Sequence, residues 1–409
     1  MTRTKYFTAL AAVAALALSA CGGDDDDATD SPSTDAPAGT AAPAATDAPT
    51  TDAPATDAPA TDAPAGSDAP TTDAPAGSDA PGTTAAAGEG PAHESTGEDD
   101  GVINIVGFAV PEAANVAIAE AWKASGEGEG IEFVSSYGAS GDQSRAVVDG
   151  LDADYVHFSV TSDVTRLVDA GLVAEDWNAG PNRGVVSSSV VVFGVRPGNP
   201  LGIDSWDDLT QDGVEIVSPN PASSGAARWN ALAAWGQVVA NGGTEDDANA
   251  YLTDLFANVV ALPNSGRDAT QAFLSGTGNV FLTYENEAIL ARQNGAELDY
   301  VVPDTTLLIE NPGAVLTDAN PRTWDWLDFV LSPAGQAEFA KKGFRPIVEG
   351  AEFGDVEGAN DPANPFPEIP ELLTVAEDFE SWSALSKKFF DEESGIVTQV
   401  ILASGKAEG

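Results

Sequence analysis

From residue 101 onward, apolar runs of strand length alternate with segments of helical spacing. Val102 to Phe108 predicts a strand, Pro111 to Ser125 a helix and Ile131 to Ser135 a second strand. A helix over Asp142 to Leu151, a strand over Tyr155 to Val160 and a helix over Ser162 to Ala170 continue the alternation. Val185 to Val195 is a long β-branched run, and Val214 to Val217 reads as a buried strand. Helices follow from Ser224 and over Asp246 to Phe256, then a strand over Val259 to Leu262 and the turn Asn264-Ser265-Gly266-Arg267. Asp268 to Ser275 is helical, Val280 to Thr283 is a strand, and further signals run to about Arg345. This alternation predicts an α/β fold, mainly parallel sheets flanked by helices. Roughly 300 residues exceed one small core and suit two lobes.

Two turns stand out within that pattern. In Ser218-Pro219-Asn220-Pro221-Ala222-Ser223-Ser224-Gly225-Ala226-Ala227-Arg228-Trp229-Asn230, two prolines forbid a helix until Ser223. A Ser-Ser-Gly turn then delivers a helix N-terminus at the C-terminal end of a strand, where open α/β sheets bind ligands. Free N–H groups and the positive end of the helix dipole suit an anion there. Plain N-capping by the serine is the alternative. Tyr137-Gly138-Ala139-Ser140-Gly141 repeats the arrangement, with Ser140 as the expected cap. Two such turns suggest helix ends converging on one small anion.

These stretches, with Gln143-Ser144-Arg145-Ala146-Val147-Val148-Asp149-Gly150-Leu151 and Tyr284-Glu285-Asn286-Glu287-Ala288, resemble the sulfate/thiosulfate-binding proteins of ABC importers. The resemblance runs in order from about residue 102 to about 397. It implies a two-lobed clamshell of the type II periplasmic-binding-protein kind. Lobe 1 would take residues 101–184 plus 284–350 and lobe 2 residues 185–283, with crossings near Val185 and Tyr284. A C-terminal helical segment, 351–409, would pack on the lobes. It also implies backbone N–H donors at Ser140, Gly225, Ala226 and Gly266, a hydroxyl donor at Ser224, and a looser match at Phe108 or Ala109. Tyr284 stands where the family usually has tryptophan, so an O–H that can also accept replaces an indole N–H. Ala226 replaces a glycine, which matters only if positive φ is required. Arg267 and Arg145 would support the peptides that touch the ligand, while Glu285 and Glu287 read as hinge or lobe-contact residues. The chemistry is consistent. Sulfate is a dianion offering acceptors only, so its site should present donors and no carboxylate. Asp142, where a lysine is common, is either a first-turn acid facing solvent or an acceptor for a protonated oxyanion. Implied partners are sulfate or thiosulfate and a membrane ABC permease, with no cofactor and a monomeric state; phosphate or molybdate is the alternative cargo, and a non-transport surface or sensory role the rival.

The N-terminus changes where this domain works. Arg3, Lys5, the apolar run Tyr6 to Leu18 and Leu18-Ser19-Ala20-Cys21 predict a lipoprotein signal over residues 1–20, with Cys21 lipidated. That places the protein outside the cytoplasmic membrane, anchored by lipid. Cys21 is the sole cysteine, so no intramolecular disulfide forms. Residues 21–100 are a Pro/Ala/Thr/Asp tether, extended and self-repelling. The tether carries eighteen acids and no Lys or Arg, and residues 1–20 two cations, so about −32 of the −48 net charge falls on residues 101–409. No basic face remains for nucleic acid. Distant acids are screened within about 10 Å, leaving short-range dipoles to hold an anion. With two histidines, His93 and His157, no zinc spacing and no phosphate loop or nucleophile elbow, the sequence predicts no metal site and no enzyme.

Overall fold

The computed structural model describes residues 95–406, so the signal, Cys21 and most of the tether lie outside the described residues. The last tether residues already join the domain: Thr96 donates its N–H to the Thr317 carbonyl at 3.1 Å. The ordered part therefore starts before residue 101. The chain then runs β1 (Val102–Phe108), α1 (Glu112–Ser125), β2 (Glu132–Gly138), α2 (Ser140–Val148), β3 (Tyr155–His157) and α3 (Thr161–Asp169). β1 pairs in parallel with β2 and β3, forming one half of the sheet. α1 buries Ala114, Asn115, Ile118, Ala119 and Trp122, the i, i+4 stripe of a helix lying on a sheet.

The second half contains β5 (Ile216–Val217), α4 (Gly225–Ala240), α5 (Glu245–Ala257), β6 (Val259–Ala261), α6 (Gly266–Leu274), β7 (Val280–Tyr284) and α7 (Glu285–Gln293). β5 lies in parallel between β6 and β7. α4 buries nearly every side chain from Gly225 to Gln237, as its Ala- and Trp-rich sequence demands of a helix apolar on all faces.

Two eleven-residue strands join the halves: β4 (Val185–Val195) and β9 (Thr305–Val315). They pair antiparallel from Val185↔Pro312 to Val190↔Leu308. Beyond that, β4 continues along β7 and the short β8 (Asp299–Val301), while β9 continues along β3. The resulting order is β2-β1-β3-β9-β4-β7-β5-β6. The outer thirds are parallel as expected, and the centre is antiparallel.

This corrects the expected return near Tyr284. β7 and α7 stay with the second half, and the chain crosses back in β9. Glu310-Asn311-Pro312 interrupts the apolar run of β9 and hides a long strand, whereas Tyr284-Glu285 is only a strand-to-helix corner. After α8 (Arg322–Val330) and α9 (Pro333–Lys341), residues 351–370 contain no helix, contrary to a helical segment from 351. Only then come β10 (Glu371–Leu373), parallel to β9, and α10 (Val375–Asp378), α11 (Trp382–Phe390) and α12 (Ile396–Ala403). Trp382 meets Trp229 edge-on at 4.6 Å and Phe389 meets Trp235 at 5.2 Å, fastening this tail to α4.

Candidate functional site

Six chain corners meet between the halves. β1 ends beside β2, with Phe108 paired to Gly138, and Ala109 gives its N–H to the Gly138 carbonyl at 2.9 Å. That bond commits the Ala109 N–H to the protein, which removes it from the expected donors in this conformation. β2 runs three residues beyond its expected end, so Ala139 alone separates it from α2. Ala139, not Ser140, occupies the cap position, and it has no side chain to cap with. The Ser140 hydroxyl turns inward instead. It donates to Asp163 Oδ2 at 2.6 Å and accepts the Ser159 N–H at 2.9 Å. The first N–H groups of α2 are left without intrahelical acceptors, and Gly141 uses its own on the Ser223 carbonyl, 3.0 Å away in the other half.

Across the cleft, Pro219 and Pro221 hold the turn before α4 out of helix. Asn220 gathers it, its carbonyl accepting the Ser224 N–H at 2.8 Å. Ser224 caps α4 by position, yet its hydroxyl makes no capping bond. The residue is only 3% exposed, yet its hydroxyl, without a protein partner among the described residues, still reaches solvent and so stands open to a ligand. Gly225 is in helical conformation and is needed for closeness, since a Cβ there would lie 2.6 Å from Ser159 Oγ. Ala226 replaces a glycine without strain, because its φ is not positive. Gly266 opens α6, capped by Ser265 Oγ on the Asp268 N–H. A Cβ on Gly266 would lie 3.2 Å from Val110 and 3.3 Å from Ala226. The starts of α2, α4 and α6 and the exit of β1 thus share one small, buried neighbourhood.

Tyr284 closes it. Its hydroxyl lies 2.7 Å from Ser159 Oγ, and burial pushes the phenol far above its ordinary pKa, so it stays protonated. Ser159 is the residue that sequence reasoning missed. Its carbonyl accepts Trp229 Nε1 at 2.8 Å and Asn311 Nδ2 at 3.0 Å. Phe158-Ser159-Val160 lies between a strand and a helix, a third copy of the small-residue corner, and that was the available signal.

Behind Ser159 a polar chain runs into the crossing strands. Ser187 Oγ of β4 lies 3.4 Å from Asn311 Oδ1 and 3.1 Å from His157 Nε2. His157 Nδ1 faces Asn115 Oδ1 at 3.3 Å, while Asn115 Nδ2 donates to Tyr137. A hydrogen on Nδ1 satisfies Asn115, and Nε2 then competes with Asn311 Oδ1 for the single Ser187 hydrogen. His157 is wholly buried, and burial lowers its pKa to about 3, so it is neutral.

Charge is held one bond back from the corners. Arg267 forms a two-pronged pair with Glu287 (3.0 and 2.8 Å) and donates to the Val110 carbonyl at 3.2 Å. Burial alone would lower its guanidinium, but Glu287 more than offsets this and raises it. Arg267 thus holds the peptide at the exit of β1. Glu287 also accepts from Thr270, and Glu285 is bound by Arg345 Nε at 2.7 Å. Glu287 thus ties α7 to α6, and Glu285 ties the start of α7 to Arg345. Arg145 instead pairs with Asp142, and both are nearly half exposed. Asp142 lies within reach of Asn264 Nδ2 and faces the surface, which favours its first-turn reading. Asp163 is a buried carboxylate behind Ser140, answered by the Ser140 hydroxyl and Arg166 Nη1 at 3.1 Å. Among the described residues no group of His, Cys, Asp or Glu is arranged to hold a metal.

Two half-sheets joined by paired crossing strands, with helix N-termini converging between them, define a two-lobed binding protein. The chain belongs to the bacterial extracellular solute-binding proteins, whose family model matches residues 103–345. It is 41% identical to a sulfate-binding protein of Synechococcus elongatus over 71% of this chain and 84% of that one. It is 35% identical to a thiosulfate-binding protein of Pseudomonas aeruginosa, covering 70% and 86%. Among solved structures it is similar to the sulfate-binding protein SubI of Mycobacterium tuberculosis. That match has 40% identity and a TM-score of 0.66, and covers 71% of this chain and 99% of that one.

Proposed function

We propose that this chain captures sulfate, with thiosulfate as a second ligand, and delivers it to a membrane ABC permease. The observation that carries the reading is Ser224, a hydroxyl without a protein partner on a residue only 3% exposed, set at the convergence of three helix starts. Its hydroxyl and the N–H groups of Ser140, Gly225, Ala226 and Gly266 form the donor set. Tyr284 adds a phenol, and Arg267 polarises a corner through the Val110 carbonyl. Both named classes of relative bind sulfur oxyanions by their names, which supports the same cargo here.

Mechanistically, closure of the two halves strips water from a dianion and replaces it with fixed dipoles. No cation needs to touch the ligand. The Gly141 bond to the Ser223 carbonyl and the Arg267 bond to the Val110 carbonyl both span the cleft, so they help to hold the closed form that a permease would recognise. The protein acts by binding alone, as a monomer, without cofactor or catalysis and with no role for nucleic acid. It is exported and held at the outer face of the cytoplasmic membrane by a lipid on Cys21, with residues 21–100 as the stalk.

Calorimetry with sulfate, thiosulfate, phosphate and molybdate at one salt concentration tests the cargo. Sulfate should bind most tightly. Preference for phosphate would overturn the assignment and favour the alternative that Tyr284, able to accept as well as donate, keeps in view.

A further inference from the structure

We propose that Ser159 is a further anion-contacting residue, and that its hydroxyl and the Tyr284 phenol act together as one shared donor to the bound oxyanion. This rests on the oxyanion reading above and adds to it the residue that completes the hydroxyl set.

The two oxygens lie 2.7 Å apart, and either can be the donor. Each carries one hydrogen. Whichever donates within the pair, the other hydrogen is left to point outward. The pair is held in place on several sides. Ser159 gives its N–H to Ser140 Oγ, and its carbonyl receives Trp229 Nε1 and Asn311 Nδ2. The pair borders the first turn of α4, since a Cβ on Gly225 would sit 2.6 Å from Ser159 Oγ. Gly225 directly follows Ser224 and starts α4, so the surplus hydrogen is delivered beside the reserved Ser224 hydroxyl. The carboxylates that act on Tyr284 are already answered, Glu287 by Arg267 and Thr270 and Asp163 by Ser140 and Arg166.

A shared donor has a distinctive signature. Removing either hydroxyl leaves the other with its hydrogen free for the anion, so each single loss is partly compensated. Removing both leaves nothing to compensate. The test is a double-mutant cycle in the full chain, titrating sulfate into wild type, Ser159→Ala, Tyr284→Phe and the double variant, with thermal midpoints recorded without ligand. Each single change should weaken sulfate by about threefold, and the double by about thirtyfold or more, well beyond the product of the two. A double effect equal to that product, or one single variant as weak as the double, overturns the sharing.

Should the double variant not fold, a sulfate-bound crystal structure of the wild type decides instead. One of the two hydroxyl oxygens should lie about 2.6–3.2 Å from a sulfate oxygen, and both beyond that reach would overturn the proposal. Failure of wild type to bind sulfate at all is a separate result, which contradicts the function proposed above.

Discussion

Ser224 shows how much one hydroxyl can decide. A serine before a helix ordinarily bonds the N–H two or three residues on, and Ser265 does so at the start of α6. Ser224 occupies the same position and does not. A hydroxyl left without its ordinary capping bond, on a nearly enclosed residue that still reaches solvent, is free to serve a ligand. Ser224→Ala should therefore weaken sulfate by about 1.5–3 kcal/mol, the range for a hydrogen bond to a charged group. Titration calorimetry reads this directly, and unchanged affinity would remove Ser224 from the ligand set. Legibility at this scale followed backbone punctuation. Prolines and glycines marked the corners at Ser140, Ser224 and Gly266, because only certain residues tolerate those turns. Ser159 lacked such flags, since its importance arises from Tyr284 and Gly225, remote in sequence. Ala109 was misjudged for the same reason: its N–H is taken by a carbonyl on a neighbouring strand.

At the scale of elements, the arrangement depends on what fixes each helix start relative to its neighbours. Arg267 joins α6 to α7 through Glu287 and to the exit of β1 through the Val110 carbonyl. Glu287 is almost fully buried, whereas Arg267 is 28% exposed, so the pair is partly screened. Glu287→Gln should lower stability by about 2 kcal/mol, less than the roughly 3–5 kcal/mol for breaking a fully buried pair, because Arg267 is partly exposed. It should also weaken sulfate, because α6 loses its anchor. Urea unfolding and calorimetry on the same variant test both parts. Sequence alternation placed most of these helices and strands correctly, since burial on a sheet imposes its own period. It missed the return in β9 because Asn311, a polar residue inside the crossing strand, reads as a break. In the folded chain that asparagine is satisfied, with its amide holding the Ser159 carbonyl.

For the whole molecule, two consequences follow from charge. The first concerns acid stability. His157 has a folded pKa of about 3 against an ordinary 6.5. Below pH 6.5 the unfolded chain takes up a proton that the folded one refuses, so stability is full above 6.5 and falls as pH drops toward 3. The contribution is about 1.4 kcal/mol per pH unit within that window. His157→Gln, a neutral replacement, should therefore flatten the loss of stability between pH 6.5 and 5. Urea midpoints across that range check this, and parallel profiles for the two proteins would contradict it. Glu285, whose carboxyl is raised by burial, acts in the opposite sense, so the comparison between variants is the informative one.

The second consequence bears on the central claim, that uncharged N–H and O–H groups hold a dianion inside a molecule carrying about −32 on its folded part. Were cations holding the ligand, salt would loosen it. Here the long-range field repels the anion, and salt screens that repulsion beyond about 10 Å. The deciding measurement is sulfate affinity by calorimetry from about 10 to 300 mM potassium chloride. The account predicts a Kd that stays constant or tightens as salt rises, whereas a weakening of about tenfold or more would contradict it.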